Sequence, residues 1–471
     1  MLRMKKLVVV GTLAVLCAMV LGAQVQVPDT PAGRQFLAWQ HAQDSGDRAT
    51  IQQFIEKNMP WGRVDQELAI HNQTGGFDVK KLEESTDSHI VVLAQERGSG
   101  QGFVRITMNV AAAEPYQIAG IRVQQAQPPA ELAPKMSEAE VIAALRAKLE
   151  KDAAEDRFAG AVLVTKNGKV LFSGAYGLAD REKKIPNKLE TRFRIGSMNK
   201  MFTAVSVMQL VQAGRVKLTD PLGKYISDYP NQDVATKVTI HQLLTHTGGT
   251  GDIFGPDFSA HRLELKTLND YVALYGNRAP AFEPGSRWVY SNYGMILAGV
   301  VVEWVSKQSY YDYVAEHVYK PAGMMLTGSE PESEAVKDRS VGYLRQQGGG
   351  WTPNTNTLPY RGTSAGGGYS TVGDLVKFAD ALMAHKLLNA ENTELLITGK
   401  VDSGGDRKYA YGFEDGRKNG AGAVGHGGGA PGMNGDLRIY TGSGYVVAVL
   451  ANLDPPAAQQ VSGFLELRLP K

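Results

Sequence analysis

The chain has 471 residues, of which 43% are hydrophobic and 21% are charged, and its formal net charge is +2. This composition is typical of a globular protein and excludes a disordered chain. The near-neutral charge gives no reason to expect nucleic acid or an anionic membrane surface as a partner. A length of 471 residues favours about two to four domains.

Residues 1–23 have the pattern of a secretory signal peptide. A basic start that ends at Lys6 is followed by an apolar run over 7–22 and by Ala23, a small residue at a cleavage position. An uncleaved anchor is the alternative. The only cysteine, Cys17, lies inside this segment, so the exported protein would contain no thiol, disulfide or thiolate metal site. We therefore expect a periplasmic or extracellular protein.

Residues 24–127 predict a small α+β domain. A first helix carries Phe36 and Trp39 and ends at Gly46, and Asp47 caps a second helix. Three β-rich runs follow and predict an antiparallel meander, at 88–97, 102–110 and 116–124. Two helices before a curved sheet resemble the nuclear-transport-factor-2-like (NTF2-like) cone fold.

A proline-containing linker over 128–136 leads to a larger domain over 137–471. Ser137 begins a capping-box helix, and Asn167-Gly168 predicts a β-hairpin. The far end of the chain mirrors this start with two strands and a helix, over 436–440, 445–452 and about 456–467. Both ends therefore predict one shared antiparallel sheet. The region between them is helical and rich in loops, which predicts an α/β sandwich with an all-helical lobe and a cleft between them.

Ser197 and Lys200 are the first candidate catalytic residues. An amphipathic pattern predicts that Ser197 begins a helix and that Lys200 lies one turn later on the same face. A serine hydroxyl needs an adjacent base to become a nucleophile, and a lysine that is buried and near other cations loses its proton more easily. The alternative is a helix-capping serine beside a solvated lysine.

Two further segments carry polar groups suited to acyl transfer. Tyr290-Ser291-Asn292 follows the turn Phe282-Glu-Pro-Gly285. A phenol of lowered pKa could move a proton there, and Asn292 could hold a substrate amide and Lys200. Gly425 to Gly429 contains His426, which could contact Tyr290 or a substrate carboxylate. The backbone N–H groups of Ser197 and Gly429 could form an oxyanion hole. The alternatives are a core tyrosine and a flexible glycine-rich loop.

In this order, Ser197-x-x-Lys200, Tyr290-Ser291-Asn292 and His426-x-Gly428 resemble the three motifs of serine β-lactamases and penicillin-binding proteins. The likeness is greatest to class C β-lactamases, DD-carboxypeptidases and family VIII esterases. Supporting segments similar to the family are found at 243–249, 282–285 and 365–371. The resemblance covers about residues 155–455 and implies a β-lactamase/transpeptidase-like fold. It implies Ser197, Lys200 and Tyr290 as catalytic residues, with Asn292, His426, Gly428 and Gly429 around the substrate.

The sequence departs from class C enzymes, which usually carry Tyr-Ala-Asn and Lys-Thr-Gly. His426 and Gly427 replace the lysine and threonine that help to bind a β-lactam carboxylate. This change favours a hydrolase of small esters, then D-amino-acid peptides, over an efficient β-lactamase. The alternatives are a β-lactam sensor that is acylated without turnover and a cell-wall scaffold with an inert hydrolase lobe.

The expected reaction needs neither a metal nor another cofactor, since no HExxH-type ligand spacing occurs. The expected partner is a small-molecule or peptide substrate, and the sequence leaves the oligomeric state open. Substrate specificity is expected to depend on two loops around the cleft, 250–275 and 340–365. Trp288, Trp351 and Tyr360 could line the cleft, but packing in the core or on the surface is the favoured interpretation.

Overall fold

A computed structural model describes residues 25–98, 102–126, 132, 135–346, 350–404, 407–418 and 421–470. The predicted signal peptide over 1–23 lies outside these residues, as does most of the predicted linker over 128–136. Within the described ranges, no helix combines the length and the apolar character that crossing a bilayer requires.

The N-terminal region contains three helices and a four-stranded antiparallel sheet. The elements are α1 (Pro31–Ser45), α2 (Arg48–Asn58), α3 (Val64–Thr74), β1 (Phe77–Ser85), β2 (His89–Glu96), β3 (Phe103–Val110) and β4 (Ile118–Ala126). The strands follow one another in the order β1-β2-β3-β4, which confirms the predicted meander. Gly46 ends α1 with a left-handed φ of 60°, and the Asp47 carboxylate accepts a hydrogen bond from the Thr50 N–H at the start of α2.

Two elements of this region were absent from the sequence prediction. Helix α3 has no side-chain hydrogen bond at its N-terminus, and strand β1 carries lysines and glutamates with little apolar alternation. The start of α3 and the alternation of β1 are therefore weak signals, although Gly75 ends α3 in the left-handed conformation and Asp65 and Glu67 lie in its first turn. The helices pack on one face of the sheet around Phe36, Trp39 and Phe77, which are buried. The NTF2-like interpretation and the domain boundaries stay predictions.

The remainder of the chain is a mixed α/β domain with many short elements. Its helices are α4 (Glu138–Ala154), α5 (Asn199–Gln212), α6 (Gln232–Lys237), α7 (Ile240–Leu244), α8 (Pro256–His261), α9 (Leu268–Tyr275), α10 (Asn292–Ser306), α11 (Tyr310–Val314), α12 (Lys320–Ala322), α13 (Val372–Met383), α14 (Ala390–Ile397) and α15 (Ala457–Glu466). Its strands are β5 (Gly160–Lys166), β6 (Lys169–Tyr176), β7 (Leu178–Asp180), β8 (Ile185–Pro186), β9 (Phe193–Arg194), β10 (Tyr343–Arg345), β11 (Trp351–Pro353), β12 (Tyr369–Ser370), β13 (Val401–Asp402), β14 (Lys408–Tyr409), β15 (Glu414–Asp415), β16 (Val424–Ala430), β17 (Met433–Tyr440) and β18 (Tyr445–Ala451).

One eight-stranded antiparallel sheet joins the two ends of this domain. Its order is β13-β14-β15-β16-β17-β18-β5-β6, so the last strand of the chain pairs with the first strand of the domain. Ala451 is opposite Gly160 in this pairing, and a Cβ at Gly160 would lie 2.0 Å from the Leu450 carbonyl oxygen. The prediction of one sheet built from both ends is confirmed, as is the final helix.

Alternate residues of the central strands face two different helical layers. On β18, Val447 and Val449 pack with α4 and α15, whereas Val446, Ala448 and Leu450 belong to the core around α5, α10 and α13. This alternation follows from the two-residue period of a strand and requires both faces of the sheet to be covered. The predicted fold class, a sheet between helices with a helical lobe, is confirmed.

Candidate active site

Ser197 lies at the junction of the sheet and the helical lobe. It is the middle residue of a 3₁₀ turn, Gly196–Met198, that leads directly into α5. Gly196 has a left-handed φ of 52°, and a Cβ there would lie 3.0 Å from the backbone nitrogen of Gly429. Glycine is therefore required to bring the turn against β16. Ser197 is half-buried at the wall of a cavity.

Lys200 is buried directly behind Ser197. Its Nζ atom lies 3.0 Å from Ser197 Oγ, 2.8 Å from Asn292 Oδ1 and 2.6 Å from the Ala365 carbonyl oxygen. Burial lowers the pKa of Lys200 to about 7, although the charge of Asp252 opposes the shift. The sequence led us to expect burial together with neighbouring cations, and of these two causes only burial acts. A substantial fraction of neutral amine is therefore present near neutral pH.

Asn292 is held between Lys200 and Asp252. Its Nδ2 group donates to Asp252 Oδ1 at 2.9 Å, which directs Oδ1 toward the lysine. Asn292 is the first residue of α10, and the Ser291 hydroxyl caps that helix by accepting from the Gly294 N–H at 2.9 Å. The cap fixes the backbone from which the tyrosine and asparagine of the second motif project.

Tyr290 lies on the loop just before this cap. The Lys200 Nζ atom is 4.7 Å from the centre of its ring, and its phenol interacts with the Ser197 side chain. Burial raises the pKa of Tyr290 above its ordinary value. The sequence-based mechanism assumed a lowered pKa for this phenol, and that assumption is wrong in the resting site. Tyr290 is therefore a neutral phenol there, suited to donate a proton rather than to accept one.

His246 supports the other face of the tyrosine. The two ring centres lie 4.4 Å apart, and His246 is 1% exposed. Its Nδ1 atom accepts a hydrogen bond from the Ser291 N–H at 3.2 Å, so its proton is on Nε2, which is buried without a hydrogen-bond partner. Burial, with Lys200 as a further cause, lowers the pKa of His246 well below its ordinary value. His246 is therefore a neutral packing partner of Tyr290.

His426 lies on β16 but does not reach the cavity. It is 4% exposed, and its Nε2 atom accepts from the Tyr409 hydroxyl at 2.9 Å while Nδ1 donates to the Gly427 carbonyl. Burial lowers the pKa of His426 to about 4, against the opposing charge of Glu414. The centres of the His426 and Tyr290 rings lie 6.4 Å apart. Both ring nitrogens of this neutral histidine are already engaged, so no free donor awaits a substrate carboxylate.

Gly429 lines the cavity beside Ser197, whereas Gly428 does not line it and packs against the turn that carries Ser197. A Cβ at Gly428 would lie 1.9 Å from the Ile195 carbonyl oxygen, so only glycine allows the strand to approach the Ser197 turn this closely. β16 pairs along its whole length with β17, but only Val424 and Gly425 pair with β15. The edge of the strand beyond Gly425 is therefore not covered by β15.

A cavity of about 560 Å³ lies in front of Ser197. Its walls come from the Ser197 turn, the end of β16 and two long segments, 253–271 and 356–367. The first segment lies within the loop 250–275 that was expected to control specificity, and the second overlaps only the end of the expected loop 340–365. Trp288, Trp351 and Tyr360 are not among the residues that line it. Trp288 packs against His246 and Tyr409, and Trp351 donates to Asp156.

The structure thus brings together Ser197, Lys200, Tyr290 and Asn292, as the sequence predicted. Sequence reasoning missed Asp252, and it assigned no role to His246, Tyr409 or the Ala365 carbonyl. His246 and Ala365 belong to segments that resemble the family, but their contacts depend on the tertiary fold. Among the residues that the structure describes, no group of three or more His, Cys, Asp or Glu side chains is arranged to hold a metal ion.

Comparison with known proteins places this site in a family. A sequence model of the family described as Beta-lactamase matches residues 145–469. A protein described as putative penicillin-binding protein PbpX, from Bacillus subtilis (strain 168), is 30% identical over 301 residues, which are 62% of this chain and 70% of that protein.

Solved structures show the same relationship. A penicillin binding protein from Bacillus halodurans is 34% identical, with a TM-score of 0.63 over 67% of this chain and 98% of that chain. A D-stereospecific amidohydrolase from Streptomyces sp. is 27% identical, with a TM-score of 0.58 over 70% of this chain and 98% of that chain. The chain belongs to the β-lactamase family. Within that family it is a serine hydrolase that resembles penicillin-binding proteins.

Proposed function

We propose that this protein hydrolyses small acyl esters through an acyl-enzyme on Ser197, with D-amino-acid peptides and β-lactams as less favoured substrates. The observation that carries the proposal is the 3.0 Å contact between Ser197 Oγ and Lys200 Nζ, with a lysine pKa of about 7. A neutral amine at this position can remove the serine proton, and few structural roles require a buried lysine beside a half-buried serine.

Acylation requires one proton acceptor and one proton donor. Lys200 takes the Ser197 proton as Oγ forms a bond to the substrate carbonyl carbon. The oxyanion is stabilised by the backbone N–H groups of Ser197 and Gly429. As the bond to the leaving group breaks, the neutral phenol of Tyr290 gives that group its proton. The products are the acyl-enzyme, the protonated leaving group and an ion pair between the Lys200 ammonium and the Tyr290 phenolate.

Deacylation restores both groups. The Tyr290 phenolate takes a proton from water as that water attacks the acyl carbon. The bond from carbon to Ser197 Oγ breaks, and Lys200 returns its proton to Oγ. The Lys200 ammonium lies 4.7 Å from the tyrosine ring centre and so offsets the cost of the buried phenolate between the two steps. Because both groups are present, turnover is favoured over a sensor that stays acylated.

The third motif supports the proposed preference for esters. His426 is neutral and its ring nitrogens are engaged, so β16 offers no cation of its own for the carboxylate of a β-lactam or a C-terminal peptide. The test is a comparison of kcat/KM for p-nitrophenyl butyrate, a D-alanyl-D-alanine peptide and a chromogenic cephalosporin. A ranking with the ester first supports the proposal, and efficient cephalosporin hydrolysis contradicts it.

We also propose that the protein is exported. The support is the basic start, the apolar run and the small residue at Ala23 in the first 23 residues. Cell fractionation with mass measurement of the N-terminus tests this directly. A periplasmic or extracellular form beginning at Gln24 supports export with cleavage, whereas an intact cytoplasmic chain contradicts it.

A further inference from the structure

The cavity in front of Ser197 extends to one side of the nucleophile. Asn292 is among its lining residues, but Tyr290 and His426 are not. Tyr290 is the proposed proton donor to the leaving group, so the leaving group must depart on the tyrosine side. The cavity on the Asn292 side therefore holds the acyl part of the substrate.

The walls of this acyl cavity are largely apolar. Ile253, Phe254 and Phe258 come from the segment that contains α8, Pro359 comes from a loop, and Met433 is the first residue of β17. The Phe254 and Phe258 rings meet edge to face with centres 5.1 Å apart, and Phe254 is 60% exposed at the surface. Such walls favour an aliphatic or aromatic acyl chain over a strongly hydrated one.

One cation interrupts the apolar lining. Arg262 lines the cavity, and none of its lining residues is an aspartate or a glutamate. Among the described ion pairs, none joins Arg262 to a carboxylate. Its guanidinium makes one described hydrogen bond, from Nη1 to the Leu358 carbonyl oxygen at 2.7 Å. A guanidinium has five N–H donors, so four of those of Arg262 have no partner among the described hydrogen bonds.

The backbone holds Arg262 in place. Its carbonyl oxygen accepts from the Tyr360 N–H at 2.9 Å, and its side chain binds Leu358, so both contacts join it to the opposite loop of the cavity. Because the protein already holds this cation in place, it loses little further conformational freedom when a ligand binds. This strengthens charge-assisted recognition.

Resting on the proposed function, we propose that Arg262 selects acyl groups that carry a carboxylate beyond an apolar chain. The preferred substrates are then half-esters or half-amides of dicarboxylic acids, with the reacting carbonyl at Ser197 and the free carboxylate at Arg262. The apolar walls bind the chain, and the guanidinium supplies the counter-charge in a site where isolated anions are disfavoured.

The competing role for Arg262 is purely structural, which is to hold its own segment against the loop that contains Leu358 and Tyr360. Loss of a structural contact would slow the hydrolysis of all substrates together, whereas loss of a recognition group would slow the hydrolysis of anionic substrates alone. Two esters with the same leaving group and chain length separate these roles, namely p-nitrophenyl hydrogen adipate and p-nitrophenyl hexanoate. The measured quantity is the ratio of their kcat/KM values, after subtraction of spontaneous hydrolysis, in wild type, Arg262→Gln and Arg262→Lys.

The control variant is Lys266→Gln. It removes the same charge from the same loop, but Lys266 stacks over Tyr360 and does not line the cavity. We expect the adipate-to-hexanoate ratio to fall by about tenfold or more in Arg262→Gln, chiefly through KM, because a charge-assisted contact is lost. The ratio should fall less in Arg262→Lys and stay unchanged in Lys266→Gln.

An unchanged ratio in Arg262→Gln would overturn the proposal, as would equal losses for both esters. Hexanoate turnover that depends on Ser197, without any effect of Arg262 on the ratio, would leave the proposed hydrolase standing and remove only this inference. Failure of the wild type to hydrolyse either ester would overturn the proposed esterase and this inference with it.

Discussion

The side-chain oxygen of Asn292 lies 2.8 Å from Lys200 Nζ. With Ser197 Oγ and the Ala365 carbonyl oxygen it gives the lysine three acceptors, which match the three N–H groups of an ammonium. Burial nevertheless lowers the pKa of Lys200 to about 7. The residue can therefore exist in both protonation states at working pH, as a base in acyl transfer must.

The first prediction concerns pH. Only neutral Lys200 accepts the serine proton, so kcat/KM should rise with pH along a limb centred near the lysine pKa of about 7. Below that pH the ammonium predominates and activity falls. Initial rates across a pH series measure the limb. Lys200→Arg keeps the charge but cannot deprotonate, so it should be inactive throughout, and an active Arg variant would exclude Lys200 as the base.

The second prediction separates the charge of Asp252 from its hydrogen bond to Asn292. The Asp252 charge raises the pKa of Lys200, in opposition to burial. In Asp252→Asn, an amide oxygen can still accept from Asn292, but the charge is gone. The acidic limb of the pH profile should therefore move to lower pH. Asp252→Ala should also reduce kcat, because Asn292 loses its support. An unmoved limb in Asp252→Asn would contradict the electrostatic role.

The third prediction concerns Tyr290, the proposed acid in acylation and base in deacylation. A p-nitrophenolate leaving group needs no proton, so Tyr290→Phe should still be acylated by p-nitrophenyl butyrate and give a burst followed by slow turnover. With an alkyl ester, whose leaving group does need a proton, the acylation rate of Tyr290→Phe should itself fall by about 10²–10⁴-fold. Stopped-flow and steady-state measurements distinguish the two cases. If the rates of the acylation burst and of steady-state turnover fell equally with both substrates, the assigned roles would be contradicted.

The fourth prediction concerns the contact between β16 and the Ser197 turn. Gly428→Ala would place a Cβ 1.9 Å from the Ile195 carbonyl oxygen and force the two segments apart. We expect a loss of about 1–3 kcal/mol of unfolding free energy together with most of the activity, because the oxyanion donors separate. Denaturant unfolding and kinetics measure the two effects.

A matched control is Gly463→Ala on α15, where a Cβ would meet nothing within 4 Å. Replacing glycine by alanine inside a helix should stabilise the protein by roughly 0.5–1 kcal/mol and leave the activity intact. Similar effects of the two substitutions would show that the close approach at Gly428 does not constrain the site.

The parts of the fold that sequence predicted have strong local signals. Ser137 and its capping box, the Asn167-Gly168 turn and the continuous apolar run of β18 each indicate an element without reference to distant residues. The three-part motif similarly predicted that Ser197, Lys200, Tyr290 and Asn292 meet. Helix α3 lacks a side-chain cap at its N-terminus and strand β1 lacks a clear apolar alternation, so packing against neighbouring elements contributes more to both.

The details of the site depend on contacts between distant segments, which local patterns do not reveal. His426 belongs to the right motif, yet Tyr409 on another strand engages its Nε2 atom and the fold buries it. The sequence-based mechanism also assumed a lowered pKa for Tyr290, whereas burial raises that pKa. Asp252 has no motif of its own, and its role follows only from its 2.9 Å contact with Asn292.

The central claim is that Ser197 is acylated, and the most direct test is to trap the acyl-enzyme. The full chain is mixed with p-nitrophenyl butyrate, quenched in acid within the first turnover, digested and analysed by mass spectrometry beside Ser197→Ala. The account predicts one butyryl group on Ser197 of the wild type, with neither the adduct nor turnover in the variant. A butyryl group on another residue, or equal turnover in the variant, would contradict it.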